Sequence, residues 1–275
     1  RDDASQRGVM GVGECEHHVL TRPLLARRVR RYVAIASLNL TGETLEGVVK
    51  LNGRLADPAP AIREYDAQHP LWLESYAGLE AQVASLADDI AYNTHDIDDG
   101  LRAGLFSLEE AATVPMIGRI VADVASAWPD LDRQRRIYEL VRRLVGLFVR
   151  DLTEETQRRL ADLSAKSPDD IRAAPAPAAA FSETMLPDLN ALRAFLKKHM
   201  YRHTEVNRMT SKARRIVVDL FEILSREPES LPSEWRAAAE GADPVRLQRI
   251  VGDYIAGMTD RYAMLEHRRL FDIYS

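Results

Sequence analysis

The sequence predicts an all-α protein. Three observations lead there. Segments rich in Ala, Leu, Arg and Glu place apolar residues three and four apart, the spacing of one helix face. No run alternates apolar and polar residues for long enough to read as a half-buried strand. Helix-start chemistry also precedes the apolar stripes. In Ser107-Leu-Glu-Glu110, Ser107 can accept from the third amide of the helix and Glu110 can reach back to the Ser107 amide.

A short helix is expected after Thr41, with Leu45, Val48, Val49 and Leu51 as its apolar residues. Pro58, Pro60 and Pro70 then mark a loop. A long helix is predicted over about 73–101, with Leu79, Val83, Leu86, Ile90, Ile97 and Leu101 on one stripe. Gly100 and Gly104 weaken its end. Ser107 opens a helix running to about 127, Pro129 precedes another over about 131–149, and Thr153 starts one more to about 163. The run Ala-Ala-Pro-Ala-Pro-Ala-Ala-Ala at 173–180 reads as a surface loop. Helices resume at about 188–202, 204–226, 232–240 and 243–270. The first 33 residues are rich in Arg and lack helical periodicity.

The composition narrows the function. A chain of 275 residues, 46% hydrophobic and 29% charged, has enough apolar material for a core. Cys15 is the single cysteine, which excludes a disulfide framework and a thiolate metal cluster and makes the cytoplasm the expected compartment. No apolar run approaches the ~18 residues of a membrane span, so no membrane partner is expected. A net charge of −5 argues against a protein coated all over by nucleic acid. A phosphate-binding Gly-rich loop and a serine nucleophile elbow are both missing from the sequence.

Two stretches of opposite charge remain. Residues 80–100 hold Glu80, Asp88, Asp89, Asp96, Asp98 and Asp99 with no Lys or Arg. At 100° per residue, Asp88, Tyr92, His95, Asp96 and Asp99 share a face opposite Ile90. A solvated acidic face is the plain interpretation. A cleft holding a hard divalent cation is the functional one, because Asp is a poor helix former and Ala81, Ala84 and Ser85 permit close packing. Residues 197–215 carry Lys197, Lys198, Arg202, Arg208, Lys212, Arg214 and Arg215 against Glu205 alone. That stretch is either an exposed basic helix or a contact for phosphates of a nucleotide or a single-stranded DNA.

The acidic stretch Ala87-Asp-Asp-Ile-Ala-Tyr-Asn-Thr-His-Asp-Ile-Asp-Asp-Gly100 resembles the hallmark of deoxyguanosinetriphosphate triphosphohydrolase-like proteins, members of the HD-domain phosphohydrolases. Leu38–Lys50, His203–Arg215, Asp253–Tyr262 and Glu266–Phe271 resemble further family motifs in the same order. The resemblance runs from about Arg30 to the C-terminus. It implies an all-α, HD-domain-like helical bundle with additional C-terminal helices. The implied reaction hydrolyses a dNTP to the deoxynucleoside and tripolyphosphate. It implies a divalent metal, Mn²⁺ or Mg²⁺, held by a His, a His-Asp pair and a later Asp, which Asp88 matches. Tyr92 matches the tyrosine that packs on the deoxyribose, Asp96 the acid that bonds the 3′-hydroxyl, and Lys50 a lysine on the triphosphate. Leu51 stands where the family often has His or Tyr. A homo-oligomer that responds to dNTP as substrate or effector is expected by the same resemblance.

The front of the chain departs from the pattern. His95-Asp96 is the one His-Asp dipeptide, and it lies within the Asp88 helix rather than upstream. In the register of Cys15-Glu-His-His18, His17 takes the place of the family's active-site His. Residues 1–29 are therefore expected to be a divergent or truncated segment, 30–165 the rest of an HD-type catalytic domain, 166–187 an Ala/Pro-rich loop, and 188–275 a helical region packed on the same domain. With one family metal ligand at most, weak or absent turnover is expected. The alternatives are a non-catalytic dNTP- or single-stranded-DNA-binding scaffold subunit, or a degenerate fragment.

Overall fold

The computed structural model describes residues 40–272, apart from the side chain of Ala61. His17 and the rest of the first 39 residues lie outside the described residues. The all-α expectation holds, with no strand among the described residues. Two compact units divide in sequence between Leu196 and Lys197.

In the first unit, Thr41 caps α1 (Gly42–Val49) by accepting from the Thr44 amide at 3.3 Å. α2 (Pro60–Asp66) lies where a loop was expected. Pro60 serves the first turn, where a missing N–H costs nothing. α3 (Leu79–Ala103) starts six residues later than expected, at the first residue of the apolar stripe. Trp72 adopts φ +50°, and the chain reaches α3 through an irregular segment ending at the N-cap Gly78. At the other end Gly104 takes φ +69°, the left-handed cap that stops the helix.

The capping box forms as the sequence indicates. Ser107 Oγ accepts from the Glu110 amide at 3.1 Å, and Glu110 Oε2 accepts from the Ser107 amide at 2.7 Å. It opens only one turn, α4 (Leu108–Ala111), because Pro115 interrupts the ladder and begins α5 (Pro115–Ala127). The two helices expected over 131–163 are a single one, α6 (Arg133–Leu163), capped by Asp132. Thr153 does not start a helix; its hydroxyl turns back onto the Val149 carbonyl at 2.7 Å, the usual refuge of a mid-helix threonine. α7 (Pro168–Arg172) is a short turn with its own box between Ser167 and Asp170. The 173–180 loop lies at the surface only in part: Ala173, Pro175 and Ala176 are exposed, whereas Ala174, Ala178 and Ala179 are buried. Gln82 Oε1 accepts from the Ala179 amide at 3.1 Å, and Arg159 donates to the Pro177 carbonyl at 3.1 Å. α8 (Leu186–Leu196) closes the unit.

α6 is the spine of this unit, with α3 and α5 packed along it. Ile97 and Leu101 of α3, Ile117 of α5, Leu140, Leu144 and Phe148 of α6, and Leu192 of α8 are all buried. Burying each side chain contributes about 1.5–3 kcal/mol before chain entropy is counted. α1 and α2 bury Leu45, Val49 and Ile62 with Leu71 and Leu73 in a smaller cluster.

The second unit begins with a π-helical turn (Lys197–Tyr201) and continues into α9 (Thr204–Arg226). After a 3-10 turn (Pro228–Ser230) come α10 (Ser233–Ala239), α11 (Pro244–Ala256) and α12 (Asp260–Phe271). The expected helix over 243–270 is broken at 257–259, where Thr259 caps α12 by accepting from the Tyr262 amide at 3.3 Å. Leu224, Leu231, Ile250, Val251 and Tyr254 form the core of this unit.

Candidate functional site

α3 divides into two faces. Ile90, Ile97 and Leu101 are buried, whereas Asp88, Tyr92, His95 and Asp99 are exposed and Asp96 is half-buried. Tyr92 is 50% exposed, far more than a core aromatic. Asp88, Tyr92 and Asp96 are spaced four apart, so they climb one face in steps of about 6 Å. Val83, expected on the buried stripe, is 37% exposed because the first turns of α3 face α1 through small residues instead. A Cβ on Gly47 would stand 2.9 Å from the Ala81 Cβ, so the two helices approach there backbone to backbone.

That close approach joins the C-terminal end of α1 to the first turns of α3. Ser85 Oγ donates to the Leu51 carbonyl at 2.8 Å, fixing the end of α1 one turn below Asp88. The Lys50 side chain is fully buried. Its ammonium donates to Glu46 Oε1 at 2.8 Å, Ser75 Oγ at 2.9 Å and the Tyr76 carbonyl at 3.2 Å. Burial holds the Lys50 pKa below the usual lysine value, against the pull of Glu46.

Glu46 has a second cation. Arg172 reaches both of its oxygens, with Nη2 to Oε2 at 2.9 Å and Nε to Oε1 at 3.1 Å. The Arg172 guanidinium lies over the Trp72 ring at 4.5 Å, and its Nη1 donates to Asp169 at 2.8 Å. Ionic bonds to the two carboxylates raise its pKa above the ordinary arginine value. Arg54 stacks on Tyr76 at 3.9 Å beside the same loop. On the other side of α3, Arg193 of α8 donates to Asp89 at 2.7 Å. Burial raises the Asp89 pKa above the usual carboxylate value in spite of Arg193.

The site residues named from sequence thus have distinct positions. Asp88, Tyr92 and Asp96 share one face, Lys50 lies buried at the end of α1 against Glu46, Ser75 and Tyr76, and His17 is outside the described residues. Glu46, Ser75, Arg172 and Arg193 were not singled out. The four-residue spacing of Glu46 and Lys50 could have flagged that pair. Arg172 lies 126 residues beyond Glu46, too far for any local pattern.

Among the described residues no group of three His, Cys, Asp or Glu could hold a metal ion. Asp88 alone does not make a site for a divalent cation. In the second unit Lys197, Lys198, Arg202, Arg208, Lys212, Arg214 and Arg215 are all exposed, with Glu205 3.6 Å from Arg208. No described helix is long and apolar enough to cross a membrane.

Strand-free among the described residues, with the carboxylate-rich α3 packed along α6, the fold is that of an all-α, HD-domain-like protein. Residues 179–269 match the phosphohydrolase-associated domain. A Caulobacter protein named deoxyguanosinetriphosphate triphosphohydrolase-like is 47% identical over 99% of this chain and 70% of its own length. Relatives with the same name from Parvibaculum lavamentivorans and Azorhizobium caulinodans are 47% and 44% identical over 95% and 94% of this chain, and each is covered over 68% of its length. The chain belongs to the deoxyguanosinetriphosphate triphosphohydrolase-like family.

Proposed function

We propose that the chain binds a deoxynucleoside triphosphate along α3 and takes part in its hydrolysis to the deoxynucleoside and tripolyphosphate. The observation that supports this reading is the shared α3 face of Asp88, Tyr92 and Asp96, with Ser85 of the same helix bonded to Leu51, the residue after Lys50. In this arrangement the exposed Tyr92 ring offers a flat surface for the deoxyribose. Asp96 accepts from the 3′-hydroxyl. Lys50 neutralises charge on the triphosphate, where the leaving group gathers it. A divalent cation, Mn²⁺ or Mg²⁺, is the proposed cofactor and Asp88 its ligand on α3. Its other ligands have to come from outside the described residues. His17, by the resemblance, is proposed as the active-site base or acid. A homo-oligomer in the cytoplasm is the proposed working form.

The test is to incubate the purified chain with dGTP and Mn²⁺ and assay tripolyphosphate. Weak turnover at most is expected; dGTP binding, with or without such turnover, that is lost in Asp88→Ala, an exposed position with little to lose in stability, supports the reading. A chain that neither binds nor hydrolyses any dNTP overturns it. A second reading is a non-catalytic scaffold that binds single-stranded DNA through residues 197–215. The exposure of all seven cations favours it. Its signature is metal-independent binding that weakens steeply with salt.

A further inference from the structure

Glu46, Lys50 and Arg172 place two cations around one carboxylate. Their side chains are 1%, 0% and 11% exposed. Asp169, the other acid on Arg172, is 87% exposed, so water screens its charge. Among the described residues the buried cluster therefore holds two cations to one buried carboxylate, with Asp66 adding a more distant negative charge on Lys50.

The three hydrogens of the Lys50 ammonium are all in use. A phosphate oxygen can gain one only by replacing Glu46, Ser75 or the Tyr76 carbonyl. A carboxylate left alone at this depth is strongly disfavoured, so Lys50 by itself could not leave Glu46. Arg172 changes that, because it already bonds both Glu46 oxygens. Arg172 is held in place by the Trp72 ring, and its carbonyl accepts from the Tyr76 amide at 3.2 Å.

We propose that Arg172 is a positioning residue for Lys50: it keeps the Glu46 carboxylate satisfied so that Lys50 can exchange Glu46 for a phosphate oxygen of the bound dNTP. This rests on the reading of the α3 face given above. Arg172 acts through Glu46 and does not itself touch the nucleotide.

The experiment is a double-mutant cycle on the full chain, read as dGTP affinity, with the melting temperature of each variant recorded. Arg172→Gln is expected to weaken dGTP binding by about tenfold, and Lys50→Gln by at least as much. The double variant is expected to bind no worse than Lys50→Gln, because the two residues serve one contact. Arg172→Lys, which keeps the charge but not the paired bonds to both Glu46 oxygens, is expected to recover part of the affinity. Losses that add in the double variant, an unaffected Arg172→Gln, or an Arg172→Lys as weak as Arg172→Gln overturn the proposal while leaving the nucleotide site standing. A second measurement leaves Arg172 untouched. The dGTP affinity of the unaltered chain is expected to fall at alkaline pH, below the ordinary lysine range, and Lys50→Gln to remove that limb. A limb that survives Lys50→Gln overturns the exchange. An unaltered chain that binds no dGTP overturns both this inference and the function proposed above, so the two failures are told apart.

Discussion

Asp88 and Asp89 are neighbours with opposite surroundings. Asp88 faces water, and Asp89 turns inward to Arg193. Asp89→Ala is expected to destabilise the fold by about 1–3 kcal/mol, because it strands Arg193, while Asp88→Ala stays within about 0.5 kcal/mol. Urea melts of the two variants check this. The pH dependence has a definite sign. Burial raises the Asp89 pKa in the folded chain, so its contribution is present below the unfolded value and is lost as pH rises through the folded one. Asp89→Asn removes a group that favours the fold in acid. Its melting temperature is therefore expected to fall more steeply on acidification than that of the unaltered chain. At this scale the sequence was legible where function left a local motif, as with Asp88, Tyr92 and Asp96 on one helix. It was silent on Arg172 and Arg193, whose partners are brought to them only by tertiary folding.

Among the helices, the long α3 shows where packing overrides local preference. Gly100 reads in sequence as a weakness near the helix end. In the structure it is buried, and a Cβ there would stand 2.2 Å from the Phe106 ring. Phe106 in turn meets Phe195 edge-on at 5.0 Å, so it has little room to retreat. Gly100→Ala is expected to cost about 1–3 kcal/mol in a thermal melt, despite the better helix propensity of Ala. α6 supplies an acid-sensitive device. The Arg142 and Arg143 guanidinium groups hold Glu139 down to about 2, and Arg158 and Arg159 do the same to Glu155. Depressed carboxylates support the fold above their unfolded pKa and stop doing so as pH falls toward about 2. Glu139→Gln and Glu155→Gln are therefore expected to flatten the loss of melting temperature over that window. The capping box at Ser107 and the bounds of α9 were readable from local chemistry. The fusion of two expected helices into α6 was not, because Thr153 looks like a cap until its hydroxyl is seen on Val149.

The molecule as a whole offers one thermodynamic readout. A ligand that binds only the folded chain stabilises it by about 2.7 kcal/mol at a hundredfold excess over Kd. For units of this size that moves the melting temperature by about 5–11 °C. A dNTP is expected to produce that shift, and Lys50→Gln to remove most of it. The fold class was legible because 3.6-residue periodicity recurs along the chain and no alternation competes with it. The division between Leu196 and Lys197 was not, because helix continues across it as a π turn with no Pro or Gly to mark the change.

Trp72 gives the Glu46–Lys50–Arg172 cluster an optical signal. The chain has three tryptophans, Trp72, Trp128 and Trp235. Trp235 packs 5.4 Å from Tyr254 in the second unit, and Trp128 lies 5.4 Å from Arg143. Trp72 stands over the Arg172 guanidinium, with nearly half its surface in water. Its fluorescence therefore senses the cluster from outside. An anion that redraws the bonds of Lys50 and Arg172 should change the Trp72 emission in both colour and intensity, and Trp72→Phe should silence that change.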